Sequence, residues 1–209
     1  MIDWLVVGGP TSPWTDLGLV STSADEDGSA QVPLFGTGIE IDVSAGPGLR
    51  RLVMSGIDAD VTRIDGVAIE VRDQSAPMFA AHPLGATHID HVVIATDSLV
   101  RTCGAIADVT GAPLKRVREV GEMRQGFHRV GGAGGLVVEV VERSGLPAGS
   151  VTLWGLVLVV DDLDAAAGTL GAERISAPRD AVQPGRRIAT LRPVTGLGVP
   201  LALMSRDPR

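Results

Sequence analysis

The chain has 209 residues, is 44% hydrophobic and carries a formal net charge of −7, so it can bury a core and is too apolar to stay disordered. The acidic balance argues against nucleic acid or an anionic membrane surface as a partner, and aromatics at 3% with no tyrosine argue against ring stacking as the dominant mode of binding. The single cysteine, Cys103, cannot close an internal disulfide and fits a reducing compartment. No apolar run approaches the roughly eighteen residues of a membrane span. The opening Met1-Ile2-Asp3-Trp4 lacks the basic residues and apolar block of a signal peptide. The expected location is the cytoplasm.

In chain order, residues 1–80 read as a β-rich segment. Ile2-Asp3-Trp4-Leu5-Val6-Val7 matches Ile89-Asp90-His91-Val92-Val93-Ile94, and Gly66-Val67-Ala68-Ile69-Glu70-Val71 matches the run from Gly135 to Val140. The two matches lie at shifts of 87 and 69, so one degenerate copy spanning both needs an insertion of about eighteen residues. The Gly-, Ser-, Thr- and acid-rich stretch from Thr11 to Gln31 fits such an insertion, and no helix is expected in it. An unrelated β-rich segment is the alternative. Residues 73–87, with Pro77, Pro83 and Gly85, read as a linker.

Residues 88–142 then give strand, helix and three strands. The β-branched run 88–96 predicts a strand. Asp97 or Ser98 caps a helix over 98–110 with Leu99, Ala105, Ile106 and Val109 as its apolar stripe, stopped by Gly111 and Pro113. Strands follow at 114–120, 124–130 and 136–142, the last two joined by a hairpin through Gly131-Gly132-Ala133-Gly134-Gly135. From 151 the order returns: strand 151–160, a helix near 162–170 capped by Asp161 or Asp162, and strand-like segments near 172–176, 186–192 and 199–204. Leu153 to Leu163 repeats the opening strand at a shift of 64, and Gly198 to Leu203 repeats Gly135 to Val140 at a shift of 63. Two nearly equal shifts at opposite ends of a unit indicate a tandem duplication of units 88–142 and 151–205 within a domain 88–209.

Paired βαβββ units that open with His91-Val92-Val93-Ile94 and close with Val137-Val138-Glu139-Val140 resemble the vicinal oxygen chelate superfamily, which includes glyoxalases, bleomycin-resistance proteins and extradiol dioxygenases. The resemblance covers residues 88–205. It implies an α+β fold in which curled mixed sheets surround a shared cleft, here with an N-terminal β-rich extension. It also implies a divalent metal (manganese, iron, nickel or zinc) in that cleft, and a lyase, isomerase or dioxygenase acting on a small oxygenated substrate. The family's ligand positions fall on His91 and Glu139 in the first unit, and on Gly155 and Ala202 in the second. The latter two cannot ligate, and catalytic metal sites normally need about three protein ligands. Related scaffolds that trap a drug without a metal offer the other reading, a non-catalytic small-molecule binder.

Strand alternation puts His91 on one face with Ile89, Val93 and Ala95, with His88 and Asp90 on the other. Glu139 shares a face with Val137 and Val141, where an unpaired carboxylate is costly, so it is expected to meet His91, a metal, an arginine or a ligand. Three readings of the pair stand: a hydrogen-bonded structural contact, a metal-free acid–base pair, or a metal site. Substrate contacts are expected from Arg124, Gln125 and Phe127 on a middle strand, Trp154 on the second opening strand, and Arg186 and Arg187 near the equivalent middle strand. One arginine of each basic segment should face the cleft. Cys103 reads as a small core residue. The expected partner is a small molecule, and the exposed faces leave a homodimer open.

Overall fold

A computed structural model describes residues 1–19, 29–73, 79–121 and 123–208. Residues 20–28, within the expected insertion, and 74–78, within the expected linker, lie outside the described residues. The first sheet takes β1 (Ile2–Gly8), β2 (Ala30–Val32), β3 (Gly38–Asp42), β4 (Gly48–Met54), β5 (Arg63–Ile64) and β6 (Val67–Val71) in the order β2-β3-β1-β4-β6-β5. A short helix, α1 (Ser12–Asp16), follows β1 where no helix was expected. Pro13 at its start suits a helical first turn, having no N–H to leave unpaired.

The second sheet is built from β7 (Ala86–Thr96), α2 (Leu99–Thr110), β8 (Arg116–Val120), β9 (Met123–Val130) and β10 (Leu136–Glu142), then β11 (Val151–Val160), α3 (Leu163–Leu170), β12 (Arg179–Asp180), β13 (Arg187–Thr190) and β14 (Leu201–Ser205). Its order is β12-β13-β14-β11-β7-β10-β9-β8. Each unit closes with its last strand parallel to its first, β10 on β7 and β14 on β11, while β7 and β11 pair antiparallel in the middle. This is the tandem βαβββ arrangement read from the repeat. The first sheet has the same ladder with less material: β3 runs parallel to β1, β6 parallel to β4, and β1 and β4 pair antiparallel. The matched segments 2–7 and 66–71 therefore lie in different parallel ladders.

Local chemistry explains the boundaries. Ser98 caps α2 by accepting from the Arg101 N–H, Glu142 accepts from the Leu99 N–H at 2.7 Å, and Gly111 ends the helix at φ 67°. Asp162 caps α3 through the Ala165 N–H. The strand expected at 172–176 is absent. The N–H groups of Arg174 and Ile175 turn back to the Gly171 carbonyl, leaving a single bridge from Ile175 to Leu191.

One apolar cluster runs through both sheets. It joins Leu5, Leu52 and Met54 to Ile89, Val92, Ile94, Leu156 and Leu158, and takes in Leu99, Cys103 and Ile106 of α2 and Leu163 and Leu170 of α3. A polar latch accompanies it, because Asp65, beside β5, accepts from Arg101 Nε at 2.7 Å and from Thr102 Oγ1. Among the described residues no helix is long and apolar enough to cross a membrane.

Candidate functional site

The site begins with an irregularity in β7. His91 lies opposite Val157 of β11 and Ile89 lies opposite Leu158, which leaves Asp90 as an extra residue between them. Such a bulge breaks strict alternation and re-aims side chains. Ile89, opposite Leu158, joins Val92 and Ile94 in the core and only edges the pocket that Asp90 and His91 also line, while His91 lies opposite Val157, which belongs to a separate apolar cluster. The expected alternation is corrected here: Ile89 does not share a face with His91, and His88 and Asp90 line the same pocket as His91.

In that pocket an imidazole is held between two carboxylates. His91 Nδ1 is 2.7 Å from Asp90 Oδ2, and His91 Nε2 is 3.3 Å from Glu139 Oε2. Asp90 is tied in turn to Arg186, whose Nη1 lies 2.5 Å from Oδ1 and whose Nε donates to the Ser205 carbonyl at 3.0 Å. Burial pushes the Asp90 carboxyl up, but the hydrogen bonds from His91 and Arg186 outweigh it and hold it at about 2. Burial also raises Glu139, with His91 and Arg118 opposing. An ionised Asp90 accepts only, so Nδ1 carries a proton and a neutral ring presents its lone pair at Nε2, toward Glu139. Desolvation lowers His88, which stands beside them.

The pocket has a volume of about 410 Å³. Of the residues singled out from sequence, His91, Glu139, Phe127 and Arg186 line it. Gln125 lies on the same strand two residues from Phe127 but outside the pocket lining. Arg124 is on the opposite face of β9 and pairs with Glu142 at 3.4 Å, and Arg187 pairs with Asp164 of α3 at 2.6 Å. Trp154 is exposed beneath the Arg143 guanidinium, 5.5 Å from its ring centroid, and is not brought to the pocket. Of the two basic segments, Arg129 and Arg186 line the pocket, and Arg124 and Arg187 do not.

Sequence reasoning missed Asp90, because the bulge that turns it is invisible to a period of two. It also missed Phe35, Gly36 and Thr37, which arrive from the first sheet.

The second unit's vacant ligand positions are physically closed. A Cβ at Gly155 would sit 2.7 Å from the Pro200 carbonyl oxygen, and Ala202 is packed in an apolar cluster with Val157, Met204 and Ile188. Among the described residues no group of three or more His, Cys, Asp or Glu side chains is placed to hold a metal ion. His91 and Glu139 point at each other and do not converge with a third donor. The side chains present do not fit a metal centre held by the protein alone.

In the first sheet, ladder register places Trp4, Glu40, Arg51 and Glu70 where the second has His91, Glu139, Gly155 and Ala202. There the carboxylates are neutralised by arginines. Arg72 reaches Glu40 at 2.6 Å and Glu70 at 2.5 Å, while Arg51 reaches Glu70 at 2.8 Å and Asp42 at 3.2 Å.

No protein-family model matches the chain, and no curated protein matches it. Solved structures do. A methylmalonyl-CoA epimerase from Mycobacterium tuberculosis aligns over 63% of this chain and 94% of its own, at 22% identity and a TM-score of 0.50. A mutant of 4-hydroxymandelate synthase from Streptomyces coelicolor aligns over 100% of this chain and 93% of its own, at 14% identity and a TM-score of 0.70. At such identities the likeness is one of fold.

Proposed function

We propose that this chain, which shares the vicinal oxygen chelate fold of those two enzymes, is a proton-transfer enzyme of the isomerase or lyase type. Its substrate is a small oxygenated molecule, its chemistry needs no resident metal, and residues 88–209 carry the chemistry. The observation behind this reading is the Asp90–His91–Glu139 chain at the wall of a pocket that also holds Arg129 and Gln183. His91 Nε2 removes a proton from a carbon beside a carbonyl group. Asp90 fixes the ring and stabilises the imidazolium, and Glu139, with its raised pKa, takes up or returns the proton through Nε2. Arg129 holds an oxygen anion of the substrate. The proton returns to carbon, so the net change is a rearrangement with no redox step. The proposed setting is the cytoplasm, where a free thiol such as buried Cys103 is unremarked.

The second reading is a non-catalytic binder, favoured by the fact that both nitrogens of His91 already face carboxylates. Deuterium exchange separates the readings. Pyruvate, 2-oxobutyrate and acetoacetate are incubated with the protein in heavy water with chelator present, and loss of the proton next to the carbonyl is followed by NMR. Exchange in the wild type that falls about 100-fold or more in His91→Ala supports the proposal. Exchange that appears only after manganese, iron(II), nickel or zinc is added returns the chemistry to a metal completed by substrate atoms. No exchange with any probe under either condition favours the binder.

A further inference from the structure

The chain has three phenylalanines in 209 residues; two line this pocket and the third stacks on one of them. Phe35 and Phe127 line it, and Phe79 stacks on Phe35 with ring centroids 3.8 Å apart and planes 3° from parallel. Phe35 nevertheless remains 57% exposed, so one face of its ring is taken and the other is open. A phenyl face left in water forgoes apolar burial, and in a protein so poor in aromatics its placement calls for a reason.

The position is built with care. Phe35 belongs to the connection between β2 and β3, in the first sheet, yet its N–H donates to the Thr87 carbonyl at 2.9 Å and it bridges to His88 on β7. Two residues on, Thr37 Oγ1 donates to the Ile2 carbonyl at 2.7 Å. Phe79 is braced by His82, edge-on at 6.2 Å, and the His82 ring is within 2.9 Å of the Pro33 carbonyl. The stack is thus pinned at its Phe35 end to the strand that carries His91 and at its Phe79 end, through His82, to the Pro33 carbonyl. Arg129 also lines the pocket, and among the described residues its one side-chain hydrogen bond is to the Gly135 carbonyl, with no carboxylate partner.

We propose that Phe35 is a ring-binding subsite: the N-terminal sheet supplies a stacking surface for a flat conjugated ring whose anionic group lies toward Arg129. This rests on the reading of the pocket as a small-molecule site and names its ligand class. It gives residues 1–80 a part in binding, although the proposed proton chemistry lies wholly in residues 88–209. Conjugated rings gain over saturated rings of equal size because the two π faces stack offset, a preference of about 2- to 10-fold in affinity.

The test uses three probes of similar size, benzoate, cyclohexanecarboxylate and benzamide, with dissociation constants measured by ligand-observed NMR on the intact chain. The expected result is that benzoate binds about 2- to 10-fold tighter than cyclohexanecarboxylate. That preference should vanish in Phe35→Ala and persist in Phe35→Trp. The preference of benzoate over benzamide should fall about 2- to 5-fold in Arg129→Gln. Equal binding of the two acids, a ring preference that survives Phe35→Ala, or no binding of benzoate at millimolar concentration each overturns the proposal. Because Phe35 is largely exposed, a thermal melt of Phe35→Ala should match the wild type, and a lost preference is then not a lost fold. Ring preference without deuterium exchange keeps the subsite and removes the catalytic reading, and exchange without ring preference does the reverse.

Discussion

Asp90 is a carboxylate drawn out of water and kept charged. Its pKa in the fold, about 2 against an ordinary 3.8, means that the charged form stabilises the fold above the unfolded value. That contribution is lost as pH falls from about 4 toward about 2 and corresponds to about 2 kcal/mol at neutral pH. Asp90→Asn is therefore expected to cost about 2 kcal/mol at pH 7, with the two proteins converging near pH 2, as denaturant titrations across that range would reveal. Glu139 has the opposite sign. Burial raises its pKa in the fold, so its charge costs stability once pH exceeds the ordinary carboxylate range. Glu139→Gln should raise the melting temperature at pH 7 and leave it unchanged at pH 3, while proton exchange falls. A variant less stable at both pH values would mean that Glu139 is held by contacts its charge does not explain.

At the scale of the element, the opening strands decide what the pocket contains. A period-of-two reading found β7 and β11 nearly to the residue, because β-branched runs and capping acids are local signals. It misplaced Asp90 and Ile89, because a bulge depends on how the partner strand is paired, and that is not written in β7 itself. The turn after α3 was misread for a similar reason: the Gly171 carbonyl claims backbone N–H groups that a strand would have needed. Glu139 was expected to find a partner, and it faces His91. In β11 the close approach of Pro200 leads to a further expectation. Gly155→His should lose about 1–3 kcal/mol through overpacking and gain no affinity for zinc or nickel by calorimetry. Gly155→Ala should lose nearly as much stability, since the Cβ alone makes the contact.

The whole molecule is fastened at the joint between its sheets. The core cluster is continuous from Leu5 to Leu158, and Asp65 ties the first turn of α2 to the N-terminal sheet. A single cooperative unfolding transition is expected for the intact chain. Asp65→Ala strands Arg101 with only Asp97 and Thr96 as partners, and should cost about 2 kcal/mol through lost charge-assisted hydrogen bonds. Hydrogen exchange in β1–β6 should then accelerate more than in β7–β14, and equal acceleration would mean that the latch merely adds to a common core. Across the two sheets, four equivalent opening-strand positions hold Trp4, Arg51, His91 and Gly155. Their prospects for change are unequal. His91 can be silenced by one substitution, but a side chain can return at 155 only after Pro200 has moved, and moving Pro200 alone supplies no donor. The route back takes two steps with nothing gained at the first, so the second unit is held away from its partner's chemistry by the order in which changes would have to come.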